Sequence, residues 1–154
     1  GVPAPGPPVV YALDCEMVLT ACGPEVVRAT LVRSTTAAAA PGRVPDTTHA
    51  VVFDELLRPR RPVLDHLTVH SGVTPAMLEG ARTDVDQVRA ALLAIVRSGD
   101  VLVGHSAEND LRCLRTAHAA VVDTAALFAH DRRKKSLRHL AGALLGREIQ
   151  QGGA

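Results

Sequence analysis

Residues 10–17, Val-Tyr-Ala-Leu-Asp-Cys-Glu-Met, deliver two carboxylates two positions apart, Asp14 and Glu16, at the end of an apolar run. On a β-strand, side chains at i and i+2 share a face, so the two acids would project together. Like charges that close repel, and desolvation adds to the cost, so packing alone gains nothing from the pair. A divalent cation reverses that balance, because hard anionic oxygens on one face suit magnesium or manganese. The plainer alternative is a strand end with two solvated acids, since Asp-x-Glu is a short and common pattern. A third carboxylate, Asp110, lies in Leu102-Val-Gly-His-Ser-Ala-Glu-Asn-Asp-Leu-Arg-Cys-Leu114. There Ser106 reads as the N-cap of a helix leaving a buried strand, which sets Asp110 one turn in and able to turn back towards Asp14 and Glu16. An acid near a helix start also answers the helix dipole, which is its plainer reading.

Charge elsewhere is local. The net charge is only +1, so any case for an anionic partner rests on clusters. Arg132-Arg133-Lys134-Lys135, followed by Arg138, is the densest of these. It suits capture of a phosphate backbone without sequence preference, or else is a solvated loop. Arg58, Arg60 and Arg61 form a smaller group. Aromatic residues are 2% of the chain (Tyr11, Phe53 and Phe128, with no tryptophan), so base-stacking platforms are not expected. No Gly-x-Gly-x-x-Gly phosphate loop or nucleophile elbow is present, which argues against a small-molecule α/β enzyme.

The elements that must position these groups follow from pattern. Residues 1–8 are a Pro/Gly-rich leader, and residues 9–154 read as one domain, incomplete at its C-terminal end. Residues 9–13 form a continuous apolar run, as in a strand buried on both faces. A turn at Gly23-Pro24 leads to a second strand over 26–32, and 50–57 forms a third. Between these two, residues 35–45 read as a low-complexity loop with four consecutive alanines. Helices then alternate with strands. Thr83 caps a helix carrying Val85, Val88, Leu92 and Ile95 and stopping at Gly99, and 101–103 is a short strand. The Ser106 helix follows, then a strand over 120–122 ending at Asp123, and a last helix from Ser136 to Gly146. The expected architecture is a mixed five-stranded α/β sheet, three strands antiparallel and two parallel, flanked by helices; its order is that of a ribonuclease H-like fold. At 154 residues, 47% hydrophobic and 21% charged, the chain can bury a real core. No apolar stretch approaches the ~20 residues of a membrane span. Three cysteines without paired or metal-type spacing suit a reducing intracellular compartment.

Five segments occur in a telling order: Asp14-Cys15-Glu16-Met17, Ser71-Gly72-Val73-Thr74, Gly104-His105-Ser106 through Asp110, Val122-Asp123-Thr124, and Ser136-Leu137-Arg138-x-Leu140. Over residues 9 to 151 this order resembles the DEDDh exonucleases, most closely the eukaryotic Rex-type RNA 3′-exonucleases. The resemblance implies a two-metal phosphodiesterase in which Asp14, Glu16 and Asp110 ligate Mg²⁺ or Mn²⁺. Two such ions ~3.5–4 Å apart activate an attacking water and stabilise the leaving oxygen. It further implies a single-stranded RNA 3′ end as substrate, nucleoside monophosphates as products, a monomer, and a nuclear or nucleolar setting. Nothing in composition or motif separates RNA from DNA. Met17 falls where the family packs the terminal nucleotide, or else fills core. Ser71, Gly72, Arg133, Lys134 and Lys135 are the expected substrate contacts, while Leu67 and Val69 interrupt a stretch where relatives often carry an arginine. The family's general base is a histidine, with an aspartate about five residues later as fourth ligand. The sequence reaches Ala154 before any match to that pair. His105 reads as a support for the strand-to-helix turn, and Asp123 as a strand terminus and helix cap. The expectation for these residues alone is catalysis lost or severely reduced. The rival expectation is a non-catalytic remnant that binds nucleic acid or protein.

Overall fold

A computed structural model of the chain describes residues 6–36, 46–131 and 133–150. Three long strands open the chain: β1 (Val10–Thr20), β2 (Gly23–Thr36) and β3 (Thr47–Leu56), paired antiparallel as a meander. β5 (Val101–Gly104) and β6 (Val121–Asp123) add parallel strands on the other side of β1, giving the order β3-β2-β1-β5-β6. The mixed sheet expected from the sequence is therefore present, with one addition. β4 (Val63–Asp65) pairs antiparallel with the far end of β1, making six strands rather than five. β5 follows β1 only from Val10 to Ala12, so among the described residues the rest of that edge is unpaired until β4 covers Leu19 and Thr20. Three residues are too few to show strand periodicity, which is why β4 escaped prediction.

The expected burial of residues 9–13 on both faces is not found. Side chains alternate along β1: Tyr11, Leu13 and Cys15 are buried, whereas Val10, Ala12 and Asp14 are exposed. On the buried face, α3 (Val85–Ile95) contributes Val88 and Leu92, and α4 (Ala107–Cys113) with its C-cap contributes Leu111 and Leu114. A smaller cluster joins Val18, Val27 and Val73 with Leu56, Val63 and Leu78. A β-bulge makes both clusters possible. Glu16 pairs with Arg28 and Met17 with Val26, leaving Val27 as the extra residue of β2. Consecutive Val26 and Val27 are then buried in different clusters.

Caps refine the predicted boundaries. α3 is capped by Asp84, whose carboxylate accepts N–H bonds from Asp86 and Gln87 while the Gln87 side chain returns to Asp84 N. Asp wins over the neighbouring Thr83 because its side chain closes a full capping box. The helix ends at Val96 in extended backbone, before Gly99. Ser106 precedes α4 but makes no side-chain cap bond and is left-handed, at φ 59°. Its N–H is instead held by Asp123 Oδ1 at 2.8 Å, and the same oxygen accepts Ala125 N–H at 2.9 Å at the start of α5 (Thr124–Leu127). α6 (Leu137–Leu145) is capped by Ser136 and stopped by left-handed Gly146, as read from sequence. Short helices α1 (Thr68–Ser71) and α2 (Pro75–Glu79) fill the segment after β4. Much of the predicted 35–45 loop, residues 37–45, and residues 1–5 of the leader lie outside the described residues.

Candidate active site

Asp14 and Glu16 share the face of β1 opposite Leu13 and Cys15, as their spacing required. α4 brings Asp110 to them. Gly104 makes that approach possible: a Cβ there would meet Ala107 Cβ at 2.8 Å and Leu13 O at 3.3 Å. The chain leaving β5 passes too close to β1 for any side chain. Asp110 ends 6% exposed, on the first turns of the helix.

Besides burial, Asp14 raises the carboxyls of both other acids. Burial raises the Asp110 carboxyl to about 7, reinforced by Asp14, then Glu16 and Asp123. Burial likewise raises Glu16 to about 7, with Asp14 adding to the rise and Arg28 opposing it. Asp14 is raised by burial and partly relieved by Arg28 and His105. Although Asp14 is exposed at the sheet surface, its neighbours crowd it enough for burial to dominate. Burial and the surrounding acids push the Cys15 thiol up, so it stays a neutral core group. No N–H or O–H donor bonds any of the three carboxylates among the described residues. Hard anionic oxygens, mutually repelled and lacking donors, fit a divalent cation in their chemistry. They do not form a closed shell: among the described residues, no three His, Cys, Asp or Glu side chains stand together as a ligand cluster.

Two clefts border this group. One, of about 510 Å³, is lined by Glu16, His70, Ser71, Gly72, Arg138 and Gln150. The other, about 340 Å³ and largely apolar, runs past Ala12, Asp14, Thr30, His105, Thr124 and Leu137. Thus Ser71, Gly72 and Arg138 line a cleft with Glu16, and Leu137 lines one with Asp14. Ser71 has its hydroxyl committed locally, donating to His66 O and accepting Val73 N–H. Gly72 is the left-handed C-cap of α1, at φ 66°. His105 Nδ1 lies 3.0 Å from Thr124 Oγ1, which donates to Gly104 O; this ties the turn, as expected, and makes His105 the donor. Asp123 performs the capping role expected of it.

Other expected contacts are placed differently. Met17 packs against the main core cluster, which is the core-filling alternative. Backbone bonds from Ser106 and Ala125 lower the Asp123 carboxyl, and the charge of Lys134 adds to this. Arg133 engages His130 through backbone bonds, and Arg133 and Lys135 are exposed. Arg132 lies outside the described residues. Sequence reasoning missed Arg28, which sits opposite Glu16 and makes a two-pronged bond to Asp54 at 2.7 and 2.8 Å. Its cross-strand register would have found it, had the β2 bulge been visible.

No family model matches the chain. It is 38% identical over 150 residues to an uncharacterized exonuclease of Schizosaccharomyces pombe, and 36% identical over 147 residues to RNA exonuclease 1 of Saccharomyces cerevisiae. These matches take in 96% and 93% of this chain but only 22% and 24% of those relatives, so the chain spans less than a quarter of their length. Among solved structures, the Neurospora crassa Pan2 catalytic unit (protease and nuclease domain) superposes with a TM-score of 0.77 at 26% identity, over 99% of this chain and 25% of that one. The Saccharomyces cerevisiae Pan2 pseudoubiquitin hydrolase–RNA exonuclease module in complex with A7 RNA gives 0.76 at 26%, over 98% and 26%.

Proposed function

We propose a function from one premise: the chain belongs to the DEDDh exonuclease superfamily, on its Rex-type RNA exonuclease branch. The reading is a metal-dependent 3′-5′ exonuclease that removes nucleoside monophosphates from the 3′ end of single-stranded RNA. The observation that carries it is the trio of donor-free carboxylates, Asp14, Glu16 and Asp110. These residues would hold Mg²⁺ or Mn²⁺, which when bound supplies Lewis-acid stabilisation of a phosphodiester and a more acidic water. Single-stranded RNA in the related Pan2 module supports the choice of substrate.

The chain's own residues divide the remaining work. Arg28, held by Asp54, which also accepts a bond from the Thr30 hydroxyl, keeps a positive charge beside Glu16 and Asp14 and favours their ionised forms. Ser71 shapes the turn that presents Gly72 to the cleft, and Arg138 gives that cleft a phosphate-compatible charge. Met17 supports β1 from beneath. Arg133, Lys134 and Lys135 give the neighbouring loop its attraction for an RNA backbone. His105 serves the strand-to-helix turn through Nδ1, which is bonded to Thr124. No residue among these 154 is assigned the role of the family's general base or fourth ligand. A nuclear or nucleolar setting follows from the family reading.

The test is a 5′-labelled single-stranded RNA incubated with Mn²⁺ and the chain. A ladder shortening from the 3′ end, abolished by Asp14→Ala, is the expected result. Equal trimming by the Asp14→Ala protein would overturn the assignment.

A further inference from the structure

The face of the sheet opposite the carboxylates carries a second charged feature. After β3 the chain turns along the start of α3, where Arg58 N–H bonds Thr83 O, and runs beside the end of α4. Together with the start of β2, these segments enclose a cleft of about 270 Å³ lined by five arginines, Arg58, Arg60, Arg61, Arg112 and Arg115, and one carboxylate, Glu25. None of its lining residues is shared with the two clefts at Asp14 and Glu16.

Ordinary structural work accounts for two of the arginines. Arg61 pairs with Glu25 at 2.7 Å, and Arg60 pairs with Asp86. The other three have no carboxylate partner among the described residues. Arg112 donates only to the neutral Asn109 Oδ1, and neither Arg58 nor Arg115 makes a side-chain bond. Cations at the end of α4 do favour the helix dipole. That effect does not explain Arg58, which comes from another element. Nor does it explain the backbone of Arg115, which is left-handed at φ 54° directly after the α4 C-cap. Glycine is the usual residue there, and an arginine takes that conformation at a cost in strain.

We infer that this arginine-lined cleft is a phosphate-binding site, separate from the carboxylate centre. Three uncompensated guanidiniums from two elements repel one another when empty, and an anion between them removes that repulsion. A tetrahedral phosphate has enough acceptor oxygens to engage several forks at once, where a carboxylate has two. The phosphate can belong to an RNA backbone or to a free nucleotide, and the chemistry of capture is the same.

Two cysteines make the test direct, because Cys22, exposed, and Cys113 both line the cleft. The rate of Cys22 alkylation by iodoacetamide is measured by mass spectrometry at constant ionic strength, with a chelator present so that no cation-dependent binding contributes. Probes are inorganic phosphate, adenosine 5′-monophosphate, and a single-stranded RNA with a 5′-hydroxyl. Saturable slowing of Cys22 alkylation by at least one probe is expected. Slowing by RNA alone assigns the site to the backbone, and slowing by the monophosphate or inorganic phosphate assigns it to a free phosphate. The Arg58→Gln/Arg115→Gln protein should require about tenfold more probe or greater for the same protection. Arg33→Gln, which removes an exposed cation elsewhere, should behave as the parent. No slowing in the parent protein, or equal protection in the double variant, would overturn the inference. Either outcome stands apart from the carboxylate reading, since neither depends on a cation or on cleavage.

Discussion

Asp110 is the residue on which the candidate site most depends, because it is buried among its own kind. Its carboxyl lies at about 7 against an ordinary 3.8, and that of Glu16 at about 7 against 4.5. With folded values raised, the native chain holds protons that the unfolded chain releases between roughly pH 4 and 7. Stability without a cation should therefore fall as pH rises through that window and level off above it. Asp100 acts in the opposite sense: its bonds with Arg97 hold its carboxyl well below the usual range, so its contribution is lost on strong acidification. Asp110→Asn should recover about 1–2 kcal/mol at pH 8, allowing for solvent screening, while weakening cation binding. Urea unfolding of parent and variant at pH 5 and pH 8 checks this, and a variant less stable than the parent at pH 8 would contradict it. At this scale the sequence was legible where chemistry is written in spacing, as at Asp14 and Glu16. It was not legible at Arg28, whose place opposite Glu16 depends on one bulged residue, Val27.

Among the elements, Asp123 joins more than its position at a strand end suggests. One of its oxygens holds Ser106 N–H before α4 and Ala125 N–H at the start of α5. Without it, left-handed Ser106 loses the bond that compensates its backbone, and α4 loses the anchor that sets Asp110 against β1. Asp123→Ala should destabilise the fold by about 1–3 kcal/mol. It should also weaken Mn²⁺ binding, although Asp123 is not among the proposed ligands. Thermal unfolding with and without Mn²⁺ separates the two effects; an unchanged melting temperature would show that the cap is dispensable. Helix ends proved harder to read than helices. Ser136 and Gly146 behaved as cap and stop, whereas Thr83 yielded to Asp84, and Ser106 proved to be held by Asp123. A neighbouring or long-range carboxylate decided both departures, and only the Asp84–Gln87 box was local enough to see in sequence.

For the molecule as a whole, a single sheet organises two kinds of surface. One face buries the main core beneath α3 and α4 and carries the arginine cleft at its margin. The other presents Asp14 and Glu16 between the Ser71-Gly72 turn and α6. Alternation along the first part of β1 produces this division: Tyr11, Leu13 and Cys15 serve the core, and Asp14 lies on the other face, until the bulge after Glu16 shifts the phase. Fold class was legible because long periodic strands and capped helices come in a distinctive order. The sixth strand was not, since its pairing follows from where β5 leaves β1. The central claim is that Asp14, Glu16 and Asp110 together form a divalent-cation site. Titrating Mn²⁺ calorimetrically into the parent, Asp14→Asn and Asp110→Asn proteins tests it most directly. Saturable binding by the parent, weakened about tenfold or more in each variant, is the predicted result. Equal Mn²⁺ affinity in all three proteins would contradict it.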